Sequence, residues 1–232
     1  MAWEHPVWKP PVPEGRAPAP DATVAEAPRR ALPREEAFAW IAGEDPRPLL
    51  VLRECRSCAG TEKALLSTSE NNEKTLLLSK WFHCVRLPVH VTEPDHPFAK
   101  LWEEKLPGGG IPHLFLATPD GRVVIPLRGD QSQSELHGAM EKMLAIHYRR
   151  DPARNAREIG KLLARLDHID SMEATLKERF DHEIEKNGPD SPKLRRIRQD
   201  LDDLKQERKE VLMRYEKLLE VPLRTRKGDT SG

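Results

Sequence analysis

Apolar positions follow two regimes along the chain: short blocks separated by turn residues up to about Tyr148, then single residues every three or four positions. In the first regime, REEAFAWIAGEDPRP carries Ala37, Phe38, Trp40 and Ile41 behind an acidic first turn, then stops in Gly43 and proline. That predicts a short helix. PLLVLR is a continuous apolar run, too short for a buried helix and bounded by proline and charge, and predicts a buried strand. CAGTEKALLSTSENNEKTLLLSKW reads as helix, polar break and helix, and FHCVRLPVHV has the β-branched character of a second strand, completing a βαβ unit. PFAKLWEEKL predicts a helix, and PGGGIPHLFLAT a glycine-rich loop entering a strand. Asp120 and Gly121 signal a hairpin turn into the strand RVVIPLRG. The closing helix, SQSELHGAMEKMLAIHY, sets Leu136, Met140, Met143 or Leu144, and His147 at helical spacing. The predicted order is α, β, α, β, α, β, β, α.

In the second regime Ile159, Leu162, Leu166, Ile169, Met172, Leu176, Phe180 and Ile184 recur at steps of three and four until NGPDSP interrupts. Leu194, Ile197, Leu201, Leu204, Val211, Tyr215 and Leu218 resume the period, with Arg208 in one seam position. Two such helices joined by a short Gly/Pro turn predict an antiparallel coiled-coil hairpin, whose other faces are almost wholly charged. The expected boundaries are residues 1–33 for a Pro-rich disordered tail, 34–150 for an α/β domain, 151–222 for the hairpin and 223–232 for a frayed, disordered end. The first segment earns that reading from Pro6, Pro10, Pro11, Pro13, Pro18, Pro20, Pro28 and Pro33, which fix φ and remove donors. Trp3 and Trp8 are unusual in a linker and suit either folding back on an apolar surface or docking a partner.

Composition narrows the function classes. The chain is 38% hydrophobic and 33% charged, with a mean hydropathy of -0.67, so much of its length is expected as solvated helix or tail. Lys plus Arg and Asp plus Glu number 38 each, which leaves no overall field to attract nucleic acid or an anionic membrane. No basic segment followed by an apolar stretch opens the sequence, and no run approaches the ~20 apolar residues of a membrane span. The expected compartment is the cytoplasm. Three cysteines are too few for a disulfide-stapled secreted fold, and two close thiols in a reducing compartment point to redox chemistry or metal binding.

The candidate chemistry is Cys55 and Cys58, where an apolar strand gives way to a predicted helix. A thiolate at a helix N-terminus faces unpaired N–H groups and the positive end of the dipole, which lowers its pKa from ~8.5. Cys58, one turn on, is placed to resolve a mixed disulfide formed at Cys55. Glu54 beside the pair raises a thiolate's pKa and Arg56 lowers it. With Cys55-Arg56-Ser57-Cys58 at a strand-to-helix junction, Ile111-Pro112 opening the next-to-last strand pair and a closing helix, residues 34 to 148 resemble the thioredoxin-like superfamily. The resemblance implies a three-layer thioredoxin-like α/β fold, here carrying a C-terminal antiparallel helical hairpin. It implies a cis Pro112 facing the dithiol, with Ile111 offering its backbone to an extended substrate. The chain departs from the family in having Glu54 where a tryptophan flanks the motif, no proline within it, and no buried acid in LLVLR.

Cys84, in mid-strand, reads as a small buried hydrophobe. His83 and Cys84 point to opposite strand faces and cannot readily join Cys55 and Cys58 in one metal tetrahedron, so no metal is expected. LPGGG lacks the lysine of a phosphate loop. His90, His96 and His113 are scattered, although His113 follows the expected cis proline, and Glu103 and Glu104 are solvated charges. The expected activity is thiol-disulfide exchange at Cys55 and Cys58, without a cofactor, acting on protein thiols or disulfides and served by a reductase or a low-molecular-weight thiol. The hairpin suggests a coiled-coil partner or a homo-oligomer. The competing expectation is a non-catalytic adaptor whose hairpin and Pro-rich tail bind partner proteins, and a third is metal handling by the dithiol.

Overall fold

A computed structural model describes residues 1–8, 30–54, 61–103, 106 and 110–224. The chain divides into two compact units, one of Met1–His147 with the segment from Leu223 and one of Tyr148–Pro222. The described residues of the first unit form an α/β structure around a four-stranded mixed sheet. Its strands are β1 (Leu49–Arg53), β2 (His83–Leu87), β3 (Leu114–Ala117) and β4 (Val124–Leu127). They lie in the order β2-β1-β3-β4, with β1 parallel to β2 and antiparallel to β3, and β3 antiparallel to β4. Pro126 interrupts no central ladder, because β4 is an edge strand.

Strand alternation distributes the apolar blocks to two faces. Leu49, Val51, Val85, Leu87, Phe115 and Ala117 share one buried cluster with Phe38 and Ile41 of α1 (Arg34–Ala42) and with Phe98, Leu101 and Trp102. Leu50, Leu52, Leu114 and Leu116, also fully buried, take the alternate positions. On that side α3 (Gln133–His147) packs on β3 and β4 and also meets α2 (Glu73–Ser79). Thr75, fully buried, ties α2 to α3 by a hydroxyl 3.0 Å from both Gln133 Oε1 and His137 Nε2. The β3–β4 turn follows the Asp120-Gly121 signal: Gly121 has φ 65°, and a Cβ there would lie 2.2 Å from the Phe38 ring. Only glycine allows α1 to press so closely on this turn.

Several expected elements are shorter than predicted. The helix read after Cys58 is represented among the described residues by one turn of 3-10 helix, Thr61–Ala64. Beyond it, side chains take the backbone bonds that a helix would use. Ser67 Oγ accepts from the N–H groups of Ser69 at 3.2 Å and Glu70 at 3.0 Å, and Asn72 Oδ1 accepts from Ser67 at 2.8 Å. Among the described residues of PFAKLWEEKL the helical backbone is the 3-10 turn Ala99–Trp102, tight enough to send Leu101 and Trp102 into the core. FHCVRLPVHV is strand only to Leu87, because Pro88 has no N–H for the ladder and Val89–Thr92 turns instead. In α1, Trp40 points outward with 43% exposure, while Ala37, Phe38 and Ile41 are buried.

The expected tail is also corrected at its ends. Glu4 forms a parallel bridge to Val85, donating its N–H to Cys84 O (2.9 Å) and accepting from Arg86 N (2.8 Å), and Trp8 packs on the core cluster. Leu32 is 4% exposed and donates to Pro97 O at 3.0 Å. Residues 9–29 lie outside the described residues. At the other end Arg224 donates to His147 O at 2.9 Å, and residues 225–232 are outside the description.

The second unit is a helical hairpin of α4 (Pro152–Asn187) and α5 (Pro192–Leu219). Its antiparallel register is read from the cross-helix pairs Arg165–Glu207 (2.5 Å), Arg214–Glu158 (3.8 Å) and Asn155 Nδ2 to Leu218 O (2.8 Å). Ile159, Ile169, Leu176, Leu194, Ile197 and Val211 are buried between the helices. Met172, expected in the seam, is 41% exposed. Arg208 does fill a seam position, and it bridges Asp170 and Glu173 of α4. At the turn, Glu183 accepts from Asn187 (2.7 Å) and Ser191 (2.6 Å), and these bonds hold its carboxyl below the ordinary range.

Candidate functional site

The sheet topology brings two sequence-distant stretches together at one edge. Because β1 and β3 are antiparallel, the end of β1 lies beside the start of β3, with Leu52 opposite Leu114 and Arg53 N donating to His113 O at 3.1 Å. On the other side Glu54 N donates to Leu87 O at 2.9 Å, so the backbone entering residue 55 is held between the end of β2 and the approach to β3. Cys55, Arg56 and Cys58 lie outside the described residues, as does Glu104.

Ile111 is 44% exposed, whereas Pro112 and His113 are buried. No cis peptide bond occurs among the described residues, so the Ile111–Pro112 bond is trans, correcting the cis proline that the resemblance implied. The packing that fixes this stretch runs through Pro112's carbonyl, which accepts from the buried Trp102 indole at 2.9 Å. Trp102 in turn meets Phe115 edge to face at 5.1 Å. His113 sits against Gly129, whose φ is 106° and where a Cβ would come within 2.8 Å of His113 Cβ. It is a packed core residue.

The charges at this edge differ from the expected ones. Glu54 does not act on residue 55 alone, because its Oε1 receives Arg86 Nε at 3.0 Å, which offsets much of its field. Burial lowers the Arg53 guanidinium from its ordinary value, and its Nε is buried without a hydrogen-bond partner. Glu54 and Arg86 are thus paired with each other where the ends of β1 and β2 meet, and Arg53 is the part-buried cation of β1's last position. Both arginines are visible in the sequence, but Arg86 is 32 positions from Glu54, and only the parallel pairing of β1 with β2 makes them neighbours.

The remaining candidates separate. Cys84 is buried, its Sγ 3.8 Å from Ser79 O, and burial pushes its thiol up to about 12, so it stays protonated and poorly nucleophilic. His83 points the other way, with Nδ1 3.0 Å from Asp45 Oδ2 and Nε2 3.3 Å from Glu4 Oε2. Neither approach has the alignment of a hydrogen bond. The His90 and His96 rings stack edge to face at 5.1 Å, and His96 Nδ1 accepts from Phe98 N at 3.1 Å, a turn-forming role. Among the described residues no group of three or more His, Cys, Asp or Glu is placed to hold a metal ion, and no helix is long and apolar enough to cross a membrane.

By its described architecture the chain combines a small α/β unit on a mixed four-stranded sheet with an antiparallel helical hairpin. Comparison with protein-family models, curated proteins and solved structures finds no match to it.

Proposed function

We propose that the chain is a thioredoxin-like thiol-disulfide oxidoreductase using Cys55 and Cys58. The observation that supports this most is the junction: the strand that delivers residue 55 ends against the backbone leading from Ile111 and Pro112, through Arg53 N to His113 O at 3.1 Å. The strand order, with two parallel strands followed by two antiparallel ones, agrees with the resemblance. The proposal borrows neither a cis proline nor a long helix dipole. It rests on the Cys55-x-x-Cys58 spacing directly after β1, on the backbone junction at Arg53 and Glu54, and on Cys84 being too strongly protonated to compete.

The chemistry balances without a cofactor. The Cys55 thiolate attacks one sulfur of a client disulfide, forming a Cys55–client disulfide and releasing the other client sulfur as a thiolate that takes up a proton. Cys58, deprotonated, attacks Cys55 sulfur, forming the Cys55–Cys58 disulfide and releasing the second client thiol. Two electrons pass to the client, and a reductase or low-molecular-weight thiol returns them. A glutathione redox titration of the full chain is expected to show one reversible Cys55–Cys58 couple that is lost in Cys55→Ser, while Cys58→Ser accumulates mixed disulfides. Thiols that stay free across the whole potential range overturn the proposal.

The trans Ile111–Pro112 bond favours one second reading, a non-catalytic adaptor that uses the same edge and the hairpin for partner proteins. In that case the Cys55→Ser and Cys58→Ser chain keeps its partner binding, and the titration shows no couple.

A further inference from the structure

Among the described residues, the outer edge of β2 is where the first unit's sheet is extended by residues outside its four strands. Glu4 supplies a single bridge there, through main-chain bonds of 2.9 Å to Cys84 O and 2.8 Å from Arg86 N. An edge strand presents its N–H and C=O groups to any extended chain, so these two bonds carry no sequence information. Selectivity comes from two side chains. Glu4 Oε2 reaches the 4%-exposed His83 side chain, which Asp45 approaches from its other nitrogen. Four residues later, Trp8 packs on the apolar cluster that α1 and β1 share. Trp3 and Pro6 are half-buried, while Val7 is 71% exposed, Met1 is 37% exposed and the Glu4 side chain is 70% exposed.

We propose that this edge is a strand-acceptor site for an extended segment bearing a carboxylate opposite His83 and an indole four residues on. Residues 1–8 occupy it in cis, and the same residues of a second copy enter it when the chain's own segment leaves. The reading is independent of thiol chemistry, because no cysteine sulfur takes part. Main-chain pairing supplies the general attraction, His83 reads the carboxylate, and the indole sets the register along the edge.

The test uses the full-length Glu4→Gln, Trp8→Ala chain and a labelled peptide of residues 1–8, MAWEHPVW. Amide exchange at Arg86, whose N–H donates to Glu4 O, reports whether the edge is occupied. In the variant this amide is expected to exchange faster, and added peptide restores its protection. The peptide is expected to bind the variant at least about tenfold more tightly than the wild type, whose edge is filled. Changing Glu4 to Gln in the peptide, or His83 to Gln in the receptor, is expected to weaken peptide binding by about two- to fivefold. Should the double variant fail to fold, Glu4→Gln alone alters an exposed carboxylate and gives the same exchange readout. Arg86 protection unchanged by the substitutions, or peptide binding equal in variant and wild type, overturns the proposal.

Discussion

At Asp45 burial and charge oppose each other. Burial raises a carboxyl's pKa, but Arg47 donates to Asp45 from its side chain at 2.5 to 3.0 Å and from its backbone at 2.9 Å, and His83 adds a contact. The net effect holds Asp45 well below the usual carboxylate range. A carboxyl with a depressed folded pKa adds stability that is fully present above its unfolded value of ~3.9 and is lost as pH falls from there through the folded value. Asp45→Asn is therefore expected to cost about 1 kcal/mol at pH 7, a figure discounted for the exposure of Arg47. The difference from wild type should begin to shrink below about pH 4 and vanish only once pH has fallen through the depressed folded-state pKa, as read in denaturant titrations. A difference that is constant with pH removes the ion pair from this account. Asp45 and Arg47 are near neighbours, so their pairing is readable in the sequence. The third member, His83, arrives from β2 and is not.

Among the elements, the strands were the most legible. LLVLR and LFLA are buried runs of the length a central strand needs, and Asp120-Gly121 marks the turn from LFLA into β4 where it occurs. Of the helices read after Cys58 and Phe98 the described residues show the 3-10 turns Thr61–Ala64 and Ala99–Trp102, and the polar break between the first of these and α2 is built by Ser67, Asn71 and Asn72 accepting local backbone N–H groups. In the hairpin, spacing identifies both Ile169 and Met172 as seam residues, yet the first is fully buried and the second is 41% exposed. Helix pairing selects one stripe, and a residue three positions on falls at its margin. Ile169→Ala is accordingly expected to destabilise the hairpin by about 2–5 kcal/mol, and Met172→Ala by about 0.5 kcal/mol or less. Urea unfolding of the full chain, followed by helical circular dichroism, separates them. Equal losses at the two positions contradict the buried stripe described here.

For the whole molecule, two units with separate cores predict separable folding. The sheet, α1, α2 and α3 bury their apolar faces within the first unit, and the hairpin's buried residues come from α4 and α5. Deletion of residues 151–232 is expected to leave a folded α/β unit, at the loss of the hydrogen bond from Arg224 to His147. Circular dichroism with cooperative thermal unfolding checks this, and a truncated chain without a cooperative transition shows the units to be interdependent.

Chain order and local pattern alone determined the alternation of helices and strands, the two-part organisation and the choice of thiols to consider, since periodicity and turn residues act over a few positions. Tertiary structure decided which stretches meet: Arg53 with His113, Glu54 with Arg86, Trp102 with Pro112, and the N-terminal residues with the edge of β2. It also set Ile111–Pro112 trans and turned Trp40 and Met172 outward. These outcomes depend on contacts between residues far apart in the chain, where burial and backbone pairing outweigh any local preference.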